Sequence, residues 1–288
     1  MEKKKHTISI DIEDWYQGIE LSNSSWFKYE KRIEYSVNLL IELLDYYNTN
    51  STCFILGKVA EENPKLVETI SKAGHEIATH GYSHEKIYNQ NPVIFREELK
   101  KSINILQDIT GKKVIGHRAA YFSITKESFW ALDILAEEGI LYDSSIQPVI
   151  NYRYGIHGSN RLPSTICTSE GSTIFEIPVS SFPMGKFNLP LGGGAYLRIF
   201  PISIFKKLFK IMEKRDENLC LYLHPWELDN NHPKINLPFR ISLTHYFNLN
   251  STIKKLSILL NDFKFYPIKE VFQDEIYQIE LRRKSYKL

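Results

Sequence analysis

Two histidines four residues apart, His80 and His84, lie in Gly74-His75-Glu76-Ile77-Ala78-Thr79-His80-Gly81-Tyr82-Ser83-His84, just after a run with the pattern of a strand. If the segment turns helically, that spacing puts both imidazoles on one side, and neutral imidazole is the commonest protein ligand for a metal ion. A second cluster, Asp11-Ile12-Glu13-Asp14, crowds carboxylates at the end of another predicted strand. Two histidines and one carboxylate make a hydrolytic metal set with coordination room left for water. Each cluster alone also has an ordinary reading: a surface histidine pair, or acids that cap the next segment or pair with Lys3 to Lys5.

Arg118, in Gly116-His117-Arg118-Ala119-Ala120-Tyr121, again follows a predicted strand, where its guanidinium can hold a catalytic carboxylate ionised and oriented. The alternative is a plain surface arginine. His224, in Leu221-Tyr222-Leu223-His224-Pro225-Trp226-Glu227, emerges from an apolar run beside Trp226. It could donate a proton to a leaving amine, or be a satisfied core histidine.

These residues need a scaffold that gathers strand ends. Residues 6–12 alternate, with Ile8, Ile10 and Ile12 on one face, which predicts a strand. Helical spacing follows over residues 33–47, then a short apolar strand over 53–56. The rhythm repeats: helix 64–72, strand 76–78, helix 92–110, strand 114–115, helix 126–138 and strand 140–142. Such alternation implies a parallel sheet, open or closed into a barrel, and barrels of this kind hold active sites at the C-terminal ends of their strands. Over residues 151–194 Gly, Pro and Ser interrupt the rhythm, predicting an excursion or part of the substrate-facing rim. Helix 202–215, strand 219–223, helix 251–261 and strand 264–268 complete a single domain over residues 1–276, and 277–288 read as a charged peripheral tail.

Composition narrows the partners. With 43% hydrophobic residues the 288-residue chain can bury a full core. Lys and Arg number 36 against 34 Asp and Glu, a balance that argues against a nucleic-acid partner. Cys53, Cys167 and Cys220 are widely spaced and read as free thiols. The N-terminal stretch reads as a strand and not a leader, because Asp11 interrupts its apolar alternation. No run approaches the roughly 18 apolar residues of a membrane span, so the expected location is the cytoplasm, with peripheral membrane attachment as the alternative.

Taken together, the segments resemble carbohydrate esterase family 4, the polysaccharide deacetylases with a NodB-homology domain. Members share an Asp-Asp motif on the first strand, His-(Ser/Thr)-x-x-His, Arg-x-Pro-Tyr and Leu-x-His, in that order. Here Asp11 to Asp14, His80 to His84, Arg118 to Tyr121 and Leu221 to His224 follow the same order. The stretches DIEDW, GHEIATHGYSHEKIY, ITGKKVIGHRAAYFSI, LYDSSIQP, GGGAYLRIFP and LHPWELD look like the signatures of a branch associated with exopolysaccharide loci. The likeness runs over residues 7–268. Three positions depart from the pattern: the paired acids are spread over Asp11, Glu13 and Asp14, Gly81 replaces Ser or Thr, and Ala120 replaces the proline.

The resemblance implies an α/β fold, a distorted (β/α)7-type barrel with its rim excursion around residues 151–194. It implies one divalent ion, Zn²⁺ before Co²⁺ or Ni²⁺, held by His80, His84 and an acid, and hydrolysis of the N-acetyl groups of a surface glycan or its precursor, lipid-linked forms included. We read Asp11 as base and Glu13 as metal ligand, because residues two apart on a strand face one side; the alternative has Glu13 as base and Asp14 as ligand. Arg118 and His224 complete the catalytic set, a backbone N–H near Tyr121 would meet the oxyanion, and Tyr121 and Trp226 would contact sugar. Two rival readings are an allantoin-type cyclic-amide hydrolase on the same barrel, which lacks the full metal set, and a non-catalytic carbohydrate-binding relative.

Overall fold

The alternation at the N-terminus becomes β1 (Lys5–Ile12), buried from its second residue onward, in a computed structural model that describes residues 4–19, 21, 23–149 and 154–285. Ile8, Ile10 and Ile12 pack outward against α1 (Ile33–Tyr46) and its neighbours, while Thr7, Ser9 and Asp11 take the opposite face. The units that follow are β2 (Thr52–Ile55), α2 (Gly57–Glu62), α3 (Pro64–Lys72), β3 (Glu76–Thr79) and α4 (Pro92–Thr110). Asn91 caps α4 through a side-chain bond to the Ile94 N–H, and Gly111 ends it in the left-handed conformation (φ 64°) that glycine adopts freely. Next come β4 (Gly116–His117), α5 (Ala131–Glu137), β5 (Tyr142–Asp143), β6 (Ser164–Cys167), β7 (Thr173–Glu176) and the hairpin β8 (Ser181–Met184) with β9 (Phe187–Pro190). The chain finishes with α6 (Gly194–Ile199), α7 (Ile202–Lys214), β10 (Cys220–Leu223), α8 (Phe239–Tyr246), α9 (Thr252–Asp262), β11 (Lys264–Tyr266), α10 (Ile268–Val271) and α11 (Gln273–Ser285).

The sheet runs β10-β1-β2-β3-β4-β5-β7-β6, parallel from β10 to β7 and antiparallel only at β6, with β11 parallel to the start of β1. Backbone bonds tie the two ends of the parallel path. Ser180 N–H donates to Cys220 O at 3.0 Å, and Tyr222 N–H donates to Gly192 O at 2.7 Å. Phe54, Ala78, Tyr142, Phe175 and Cys220 fill the interior, and Ile268 of α10, Phe272 of the junction, and Ile276 and Ile279 of α11 close its floor. Asp11 is in register with Phe54, and Phe54 with Ala78, so the acid sits directly on this apolar plug.

The α/β barrel with alternating parallel strands is as the sequence implies, with four local differences. The strand expected at 114–115 lies two residues later, because Val114 joins the outer apolar layer while His117 pairs with Thr79 and Asp143. The helix expected over 126–138 is split, since Thr125 and Ser128 cap each other and α5 begins only at Ala131. The excursion expected over 151–194 contains a full barrel strand, β7, between its loops; its residues 151–153 lie outside the described residues. The stretch expected to be a peripheral tail continues α11, with Ile279 1% exposed and Arg283 donating to the Thr173 and Ala136 carbonyls; residues 286–288 lie outside the described residues.

Gly116 shows how tight the interior is: a Cβ there would lie 2.1 Å from Cζ of Tyr142. That tyrosine is fully buried and its hydroxyl donates to Glu76 at 2.9 Å, so it cannot swing aside. Gly116→Ala should lower unfolding free energy by about 1–3 kcal/mol. The shift of the urea midpoint checks this, and an unchanged midpoint would show that the interior yields.

Candidate active site

The C-terminal ends of β1, β3 and β10 deliver Glu13, His80 and His224 to one place. Glu13 is the centre: its Oε2 lies 2.6 Å from Nε2 of His84 and 3.9 Å from Nε2 of His80, and its Oε1 lies 3.3 Å from Nε2 of His224. His80 Nδ1 is 2.8 Å from the Arg118 carbonyl oxygen, so that Nδ1–H donates outward and the lone pair of Nε2 faces Glu13. His84 reaches the cluster through a left-handed backbone (φ 60°), a conformation that costs a non-glycine residue about 1–3 kcal/mol. Glu13, His80 and His84 are all buried and offer ligand atoms that lie within 4.8 Å of one another.

This donor set fits a single divalent ion. Glu13 Oε2 is buried without a hydrogen-bond partner despite its closeness to His84, and His84 Nδ1 is likewise unpartnered among the described residues. A buried carboxylate oxygen aimed at imidazole nitrogens without hydrogen-bond geometry is in want of a cation. Burial pushes the Glu13 carboxyl up, but the charges of His84, His224 and His80 outweigh it and hold the group at about 2. Burial lowers His80 to about 4, which leaves it neutral and ready to ligate.

Asp11 is held differently. Arg118 Nη1 donates to its Oδ1 at 2.6 Å, and the same guanidinium donates from Nε to Ser144 O and from Nη2 to Ser144 Oγ. Arg118 is 1% exposed and its charge lies 4.2 Å from the centre of the Phe54 ring. A guanidinium fixed by Asp11, Ser144 and Phe54 orients the carboxylate. Asp14, by contrast, turns away: its carboxylate accepts from the backbone N–H groups of Trp15, Arg32 and Ile33 and is absent from the donor set. Burial raises it to about 6 in spite of those bonds.

His224 faces the cluster from the other side. Its Nδ1 is 2.9 Å from Glu227 Oε1, which also accepts from the His224 backbone N–H at 3.0 Å. Burial would lower its pKa, but the hydrogen bond to Glu227 and the charges of Glu13, Glu227 and Asp11 raise it to about 9. Glu227 Oε2 in turn accepts from Nε of Arg198, a fully buried residue whose remaining N–H groups donate to the carbonyls of Thr244, His245 and Phe247. A Cβ at Gly194 would lie 2.3 Å from the Glu227 carboxylate, so glycine leaves the room that this acid needs. Sequence reading passed over both partners. Glu227 had a local signal, three residues after His224; Arg198 had none, since 29 residues separate it from Glu227.

Asp11, Glu13, His80, His84, Tyr121, His224 and Trp226 line one open cavity of about 160 Å³, and Arg118 lies beneath it. Tyr121 and Phe122 form a strained turn at its edge (φ 55° and 53°). The Tyr121 ring packs on His84, with centroids 4.6 Å apart. Trp226 is only 5% exposed and stacks between His224 and His245. The far wall adds Tyr196, Tyr222, Ile241 and His245. Two imidazoles with a carboxylate, an arginine-held acid on one flank and a protonated imidazole on the other can polarise, deprotonate and protonate around one point.

Comparison with known proteins gives two adjoining matches. Residues 23–139 match the family described as polysaccharide deacetylase, and residues 144–273 match one described as a domain of unknown function, DUF3473. The chain is 33% identical over 112 residues to a peptidoglycan deacetylase-like protein of Gibberella zeae, covering 38% of this chain and 32% of that protein. It is 31% identical over 116 residues to a peptidoglycan deacetylase of Helicobacter pylori, covering 39% and 38%. The matched part is thus 32% and 38% of those relatives' own lengths. A solved structure assigned as a polysaccharide deacetylase from Mycobacterium smegmatis shares the fold at TM-score 0.64 and 19% identity, covering 98% of this chain and 92% of that one. The PuuE allantoinase shares it at TM-score 0.61 and 16% identity, covering 93% and 89%.

The capping role of Asp14 is separable from metal binding. Asp14→Ala strands three backbone N–H groups and should lower unfolding free energy by about 2–4 kcal/mol, while the folded variant binds metal with wild-type stoichiometry. Loss of metal from folded Asp14→Ala protein would return Asp14 to the ligand set.

Proposed function

We propose, from the match of residues 23–139 to the polysaccharide deacetylase family and from the site geometry, that this chain is a metal-dependent hydrolase that removes N-acetyl groups from the amino sugars of a bacterial surface or exopolysaccharide glycan or its precursor. The observation that carries this reading is Glu13, a buried carboxylate facing His80 and His84 on one side and His224 on the other. Residues 1–276 act in it as one catalytic unit, since Asp11 and His80 lie before residue 140, His224 and Trp226 lie beyond 144, and all line the same cavity. The intact donor set favours amide hydrolysis on a metal over the cyclic-amide chemistry of the related barrel, and over a binding protein without catalysis.

Glu13, His80 and His84 would hold the ion, with Zn²⁺ suited to a set of two imidazoles and one carboxylate. When bound, such an ion supplies a Lewis acid for the acetyl carbonyl and a water of depressed pKa, about 7. Asp11, held in place by Arg118, takes the proton of the attacking water. A backbone N–H of the strained turn at Tyr121 is offered to the oxyanion that forms. His224, raised to about 9, holds a proton at neutral pH and gives it from Nε2 to the departing amine, leaving acetate and a free amino sugar. Tyr121 and Trp226 bound the space for the sugar ring. A lipid-linked precursor is included among the substrates.

Acetate release from a panel of N-acetylated sugars, run beside metal analysis, tests the reading. His80→Ala with His84→Ala should lose metal and turnover together; stoichiometric metal in that variant would remove the assignment. Asp11→Asn should keep the metal and lose nearly all turnover, whereas Glu13→Gln should weaken metal affinity, and the opposite pattern would exchange the two roles. His224→Ala should retain metal and lose about 10²–10⁴ in rate on acetamides, but far less on an activated aryl ester whose leaving group needs no proton. Equal losses on both substrates would make His224 a positioning group.

A further inference from the structure

The helices that wall the cavity on the His224 side carry a surface that the chemistry does not use. In α8 only His245 is buried, while Phe239 and Leu243, four residues apart on one face, are 79% and 42% exposed, and Phe247 at the helix end is 44% exposed. Ile199 closes α6, Ile204 lies in the first turn of α7 and Ile253 in the first turn of α9, and all three are also exposed. These elements are stitched into one unit. Arg198 of α6 donates to the carbonyls of Thr244, His245 and Phe247, and Lys255 of α9 donates to those of Leu197, Arg198 and Phe200. Between α7 and α9 runs a groove lined by Ile202, Ile211 and Ile258 together with Lys207 and Lys210.

The charge on this side is predominantly basic, with Glu213 and Asp262 as the acids of α7 and α9. Residues 177–212 and 230–261 contain no Asp or Glu, although the whole chain has 34 acids against 36 basic residues. Lys207, Lys210, Arg240 and Lys254 stand exposed among the apolar side chains, and Lys206 pairs with Asp262, the first acid beyond the second segment. Exposed apolar residues interleaved with an excess of cations match the interface of an anionic bilayer, which offers acyl chains to the one and phosphates to the other. A soluble polyanion would use the lysines but leave the phenylalanines without a partner. Among the described residues no helix is long and apolar enough to cross a membrane, so the contact is a seat on the surface.

We propose that the α6 to α9 face docks on an anionic phospholipid bilayer, with Phe239, Leu243 and Phe247 entering the headgroup layer and Lys207, Lys210 and Arg240 meeting lipid phosphates. Ile199, Ile241 and Thr244 line the catalytic cavity from the same elements, so docking brings the cavity mouth beside the membrane. The proposal does not depend on which reaction the cavity performs.

The test is co-sedimentation of the full chain with vesicles of phosphatidylglycerol mixed into phosphatidylcholine, against vesicles of phosphatidylcholine alone. The anionic vesicles should bind at least about tenfold more protein, with binding reduced by added salt. Phe239→Ser with Phe247→Ser, and separately Lys207→Glu with Lys210→Glu, should each lower that binding about tenfold while leaving the thermal midpoint and metal stoichiometry unchanged. Phe239→Trp supplies a gain of signal that needs no loss of stability: its emission should shift to the blue on anionic vesicles. No binding to anionic vesicles, or no shift from Phe239→Trp, overturns the proposal. So does binding that only the lysine variant weakens, which marks a soluble polyanion site, or a phenylalanine variant that instead abolishes self-association in gel filtration, which marks a contact between copies.

Discussion

A carboxylate taken out of water must find positive charge, and Glu13 meets that demand with three imidazoles and no lysine or arginine. Imidazoles can give up their protons where guanidinium and ammonium cannot, so the same enclosure that stabilises the anion can be emptied of protons and filled by a metal ion. The other buried acids of the rim have permanent cations: Asp11 has Arg118, and Glu227 has Arg198. A buried ion pair of this kind is strongly destabilised when one partner is lost. The site is therefore built from two charge pairs that cannot dissociate flanking one cluster that can.

That difference also divides the histidines. His80 donates to a carbonyl and is lowered by burial, whereas His224, partly exposed, leans on Glu227 and is raised. Two imidazoles on opposite sides of one carboxylate thus sit in opposite protonation states at neutral pH, one able to bind a metal and the other able to give a proton. Environments that push pKa values apart in this manner are how one fold runs acid and base chemistry side by side.

The boundary between the two matched families, at residues 139 to 144, falls inside the barrel, between α5 and β7. The second segment contributes β7 and β10, the Gly192 and Tyr222 bond that ties the sheet ends, His224, and the Arg198 to Glu227 relay. Neither segment contains a whole cavity, so the DUF3473 portion supplies half of the candidate site.

Local pattern alone was enough for the alternation of strands and helices, the bounds of α3 and α4, and the placing of His80, His84, Asp11, Glu13, Arg118 and His224 at strand ends. Periodicity and punctuation are short-range signals, and parallel strands in sequence order align their C-terminal ends by construction. Three matters needed the folded chain. Asp14 carries a carboxyl group like Glu13 and is one residue away, yet only the arrival of the Arg32 and Ile33 N–H groups from the start of α1 shows that it caps backbone. β7 was hidden in a stretch rich in Gly, Pro and Ser, because four residues of strand become one only when β5 and β6 supply partners on either side. Arg198 looked like any helix-surface arginine, and it is buried because carbonyls from α8 and the carboxylate of Glu227 converge on it from a distance in sequence that no local pattern spans.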